Sequence, residues 1–68
     1  MRLYMCLLFD GANHVRSIEK VEAASDHAAV AESARLVRAI PGAIGYELWK
    51  DGHKVASHFQ PLDSASSA

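Results

Sequence analysis

Residues 25–42 read SDHAAVAESARLVRAIPG. This stretch decides the fold, because it is the one segment patterned as a helix. Ser25 or Asp26 offers a short side-chain oxygen to the unpaired N–H groups of a first turn. Pro41-Gly42 ends the run, since proline cannot continue the hydrogen-bond ladder and glycine tolerates the exit geometry. Between these ends Val30, Ala34 and Val37 recur at i, i+4 and i+7, and Ala29, Leu36 and Ile40 widen the same side. Glu32, Arg35 and Arg38 fall opposite. A lone helix with one apolar stripe needs a flat surface to lie on, and its alanines suit a close approach.

The flanks supply that surface. Residues 2–10, RLYMCLLFD, are apolar at nearly every position, as in a strand covered on both faces. Alternation places Leu3, Met5, Leu7 and Phe9 on one side and Tyr4, Cys6 and Leu8 on the other. Asp10 to Asn13 forms a turn. Residues 14–23, HVRSIEKVEA, then read as a mixed strand suited to a sheet edge. A turn of two, three or four residues is compatible with this stretch, so its faces stay open. After the helix, AIGYELWK (43–50) and HKVASHF (53–59) flank Asp51-Gly52, the strongest short hairpin signal. A two-residue type I′ turn there pairs Lys50 with His53. It then sets Leu48 against Val55, Tyr46 against Ser57 and Ile44 against Phe59 on one face, the face expected under the helix. Trp49 meets Lys54, Glu47 meets Ala56 and Gly45 meets His58 on the other.

The expected architecture is α+β: ββαββ, a four-stranded, mostly antiparallel sheet with one helix packed on one face. Residues 1–60 form the domain and residues 61–68 a flexible C-terminal tail. The strand order second, first, third, fourth lets the helix cross the first strand and keeps neighbours antiparallel. Second, first, fourth, third is the competitor.

A chain of 68 residues buries only about 60 % of its unfolded surface. Its core rarely supplies more than ~3–5 kcal/mol. Cys6 is the only cysteine, so no internal disulfide can help. Self-association is the remaining supplement. The formal net charge of −1 gives no basic footprint for nucleic acid or anionic membranes. The apolar run from Leu3 to Phe9 is far short of the ~20 residues of a membrane helix. It is followed at once by polar Asp10-Gly11, unlike a signal peptide. A cytoplasmic location with Cys6 reduced is expected.

No constellation for catalysis emerges, so a non-enzymatic protein is expected. His14, His27, His53 and His58 lack the spacing of metal sites, and no metal or cofactor is expected. His27 falls near the helix N-terminus, where the macrodipole disfavours an imidazolium. Cys6, mid-strand, reads as a small hydrophobe, and His58 is the one base that can share its side. One helix covers one side of a sheet. The other side is expected to carry Tyr4, Cys6, Leu8 and Trp49, with Lys54, Ala56 and His58 around them and Ile18 as a further candidate. Such a patch on a monomer marks an interaction surface. The leading expectation is therefore a homodimer through this face, acting as an interaction or regulatory module and as an adaptor for a larger protein. One alternative is a small-ligand module with Trp49, Tyr4 and His58 lining a site between subunits. The other is a weak nucleic-acid binder, against which the near-neutral charge argues.

Several features together resemble a known group. An apolar first strand closes in Asp10-Gly11. Asp26 precedes an Ala-rich helix carrying Ala34-Arg35. Glu47-Leu48-Trp49 is followed by Asp51-Gly52 and Val55-Ala56. Over roughly residues 2–59 this resembles very short bacterial proteins grouped as a domain of unknown function. Ala12-Asn13-His14 makes the first turn longer than is usual there. The resemblance implies a β-hairpin–helix–β-hairpin pattern and no particular activity.

Overall fold

Each expected element forms. The computed structural model describes residues 1–60, and the tail expected at 61–68 lies outside the described residues. Strands β1 (Arg2–Phe9) and β2 (Val15–Ala23) are followed by helix α1 (Asp26–Ala39), then β3 (Gly45–Lys50) and β4 (His53–Phe59). The four strands make one sheet in the order β2-β1-β3-β4, with every neighbouring pair antiparallel. Because β1 runs against both its neighbours, β2 and β3 are parallel to each other, and α1 is the crossover between them.

Local chemistry fixes the ends. Ser25 is the N-cap, in extended conformation, and its hydroxyl oxygen accepts from Ala28 N at 3.1 Å. Ile40 N donates back to Leu36 O, and Gly42 takes φ +85° on the way out. In the first turn Asn13 N donates to Asp10 O, Asp10 N donates to His14 O, and Asn13 itself sits at φ 65°. The loop is therefore the three-residue one, with a left-handed Asn at its end. Asp10 Oδ1 also accepts from Ala12 N and His14 N, and these bonds hold its carboxyl below the usual carboxylate range. In the second hairpin Asp51 (φ 52°) and Gly52 (φ 79°) both have positive φ, as a type I′ turn demands.

The core lies between α1 and the sheet. Its buried members are Tyr4, Cys6, Leu8, Val21, Ala23, Ala29, Val37, Tyr46 and Leu48. The stripe of α1 that faces down is Ala29, Ser33 and Val37, one residue round from the Val30-Ala34-Val37 line, with Val30, Leu36 and Ile40 at its margins. Ser33 is fully buried because its Oγ donates to Ala29 O at 2.9 Å, so the hydroxyl is satisfied within the helix. Small Ala29 and Ser33 bring the helix down onto Cys6.

Two corrections concern which residues share a face. The first is β1. Tyr4, Cys6 and Leu8 lie under the helix, not on the uncovered side. The β1–β3 register sets Cys6 opposite Leu48 and Leu8 opposite Tyr46, and opposed residues share a face. Tyr4 gains a further anchor there, its hydroxyl donating to Asp26 Oδ1 at 2.6 Å. The second is β4. Trp49 opposes Lys54 as the turn dictates, but Leu48 then opposes Ala56 rather than Val55. Val55 is an extra residue, a bulge, and beyond it each pairing slips by one. Tyr46 meets His58, Glu47 meets Ser57 and Gly45 meets Phe59. Ala56 and His58 therefore turn to the helix side, and Phe59 comes to the open side.

Candidate interaction surface

The face turned away from α1 can be read across the strands. One row holds Val15, Phe9, Gly45 and Phe59. The next holds Ile18, Leu7, Glu47 and Ser57, and a third Lys20, Met5, Trp49 and Lys54. Leu3 and Glu22 close the far end. The large apolar side chains on this face are well exposed: Leu3 55 %, Met5 44 %, Val15 47 %, Ile18 58 % and Phe59 38 %. Soluble monomers seldom leave so contiguous an apolar sheet face open. Phe9 and Phe59 pack tilted, ring centroids 5.3 Å apart.

A polar seam crosses the apolar field. Trp49 Nε1 donates to Glu47 Oε1 at 3.2 Å, and Lys54 Nζ lies 4.0 Å from Glu47 Oε2. The lysine thus turns to the carboxylate beside the indole. Towards the Asp51-Gly52 turn, a cavity of about 300 Å³ opens among Leu3, Met5, Lys20, Trp49 and Lys50.

The chain matches no protein-family model, no curated protein and no solved structure. The surface is therefore interpreted from its own residues. Of the residues named from sequence, Ile18, Trp49 and Lys54 stand on this face, whereas Tyr4, Cys6, Leu8, Ala56 and His58 belong to the helix side. Tyr4 and Trp49 border the same cavity, but His58 is on the opposite side of the sheet, so these three do not line one site. The surface residues that sequence reasoning missed are Leu3, Met5, Leu7, Phe9, Val15 and Phe59. For the four on β1 the signal was already present, since that strand is apolar on both faces and either half could have been the exposed one; Phe59 is there because of the bulge at Val55.

Among the described residues no group of three or more His, Cys, Asp or Glu side chains is placed to hold a metal ion. No helix there is long and apolar enough to cross a membrane. Cys6 is fully buried, and burial pushes its thiol pKa up, so the thiolate is disfavoured. Its thiol is expected to stay unreactive toward Ellman's reagent in the native protein and to react fully once urea unfolds the chain. Rapid labelling without denaturant would contradict that placement.

Proposed function

We propose that this chain is a non-enzymatic, self-associating interaction module, in which two copies pack their open sheet faces together. The observation that supports this reading is the run of exposed Leu3, Met5, Val15, Ile18 and Phe59 on one face. A second copy is the favoured occupant because the face is electrically balanced, Lys20 and Lys54 set against Glu22 and Glu47. A two-fold pairing can bring opposite signs together across such a surface, whereas a strongly charged partner would find as much repulsion as attraction.

Size limits the strength of that pairing. Four strands about 4.8 Å apart, with some six residues each at about 3.3 Å, give a face of about 19 × 20 Å. Taken flat, that is about 400 Å² per copy, below the roughly 800 Å² per partner of a standard interface, so the pairing is expected to be weak and reversible. Face-to-face packing buries both apolar fields and leaves the two helices outermost. Their polar sides, with Glu32, Arg35 and Arg38, are then available to a larger protein partner.

Sedimentation equilibrium from low to high micromolar concentration tests the dimer. A reversible monomer–dimer equilibrium is expected, and Met5→Lys with Ile18→Lys is expected to shift it at least tenfold towards a monomer of unchanged circular dichroism. A wild-type monomer throughout overturns the reading. So does a dimer indifferent to these two lysines, which would place the contact on a strand edge instead.

A further inference from the structure

On the helix side, α1 packs over β1, β2 and β3 and leaves a gap above β4. The gap is a cavity of about 200 Å³ lined by Ala34, Val37, Arg38, Tyr46, His58 and Gln60. A cavity of about 150 Å³ already accepts benzene, so this one has room for a ring and a small polar group.

One of its donors, the Tyr46 hydroxyl, belongs to a buried residue. Tyr46 is 4 % exposed, yet among the described residues its hydroxyl has no hydrogen-bond partner, in contrast to Tyr4 with Asp26. Buried hydroxyls left unpaired are uncommon in native proteins. Burial raises the Tyr46 pKa, so the group stays a neutral O–H donor. Arg38 makes no ion pair among the described residues; Glu32 is held by Arg35 and lies six positions away on the helix, off Arg38's side. His58 adds an imidazole N–H, and among the described residues no carboxylate lines the cavity. Ala34 and Val37 give it an apolar wall.

We propose that this cavity binds a small organic carboxylate with a short aromatic or branched apolar body. The charge is taken by Arg38 and His58, the body lies against Ala34 and Val37, and the Tyr46 hydroxyl donates to the ligand. The site is on the opposite side of the sheet from the self-association face and is independent of it.

Benzoate titrated into the ¹⁵N-labelled full chain at neutral pH tests this, with benzyl alcohol as the neutral analogue of equal ring size. Saturable amide shifts are expected at Val37, Arg38, Tyr46 and His58, with benzyl alcohol at least tenfold weaker. Arg38→Gln is expected to weaken benzoate at least tenfold. Tyr46→Phe is expected to weaken it about threefold to tenfold without lowering the melting temperature of the unliganded protein. Arg38 and His58 are exposed, so Arg38→Gln and His58→Gln remain informative even where Tyr46→Phe perturbs folding. The proposal is overturned by shifts that do not saturate, by benzyl alcohol binding as well as benzoate, or by undiminished binding in Arg38→Gln.

Discussion

Leu8→Ala is expected to leave the chain largely unfolded at 25 °C, whereas Leu3→Ala, five positions earlier on the same strand, is expected to leave the monomer's fold intact. Leu8 is fully buried, flanked in register by Ser17 and Tyr46 and roofed by α1. Truncating such a side chain costs about 2–5 kcal/mol, because a cavity remains after the methyl groups are gone. A core of this size supplies only ~3–5 kcal/mol in all, so the loss consumes most of it. Leu3 is 55 % exposed on the other face, and a substitution there costs the monomer about 0.5 kcal/mol or less. Urea titration followed by far-ultraviolet circular dichroism at low concentration separates the two. A folded Leu8→Ala beside an unfolded Leu3→Ala would mean that the faces of β1 are the other way round.

The second large effect is expected at Gly45. A Cβ built there would run into Phe59 Cδ2 and lie 2.7 Å from its Cγ and 2.8 Å from His58 O. In an ordinary strand, alanine in place of glycine gains about 0.5–1 kcal/mol by restricting the unfolded chain. Here space decides against it. Phe59 lies across the bare glycine, and moving its ring also breaks its contact with Phe9. Gly45→Ala is expected to lose about 1–3 kcal/mol, as overpacked sites do, and Gly45→Val more. Adding Phe59→Ala to Gly45→Ala is expected to recover part of that loss, because the ring clash goes but the His58 carbonyl stays. Strict additivity of the two substitutions in urea melts would show that the ring does not sit on the glycine.

What could be read from the residues, and what could not, follows from the same contacts. Ser25, Pro41-Gly42 and Asp51-Gly52 act through local geometry, so the helix and the second hairpin were legible. The sheet order followed from joining neighbours without crossing connections. The faces of β1 were not legible, because alternation carries no information when Leu3, Met5, Leu7 and Phe9 are as apolar as Tyr4, Cys6 and Leu8. Only the non-local register of Cys6 with Leu48 chooses between them. The bulge at Val55 overrode the pairing that the type I′ turn alone would set. Gly45, at the other end of that ladder, marks instead the close approach of Phe59. Ser33 was missed as a core residue because a hydroxyl bonded back to Ala29 O hides its polarity from a hydrophobic pattern. That an apolar face would remain uncovered was legible from the single helix. Which side chains make up that face was not, for the reasons that hid β1 and β4.

The seam between β1 and β3 has a consequence for how the molecule assembles. Each hairpin closes over a two- or three-residue loop and can form in about 1–10 μs. The pairing from Phe9–Gly45 to Met5–Trp49 unites segments separated by the whole of β2 and α1. Its loop-closure entropy must be met before its contacts are gained. The slow step of folding is therefore expected at this join, where two hairpins that are marginal alone hold each other in place once the helix has brought them together.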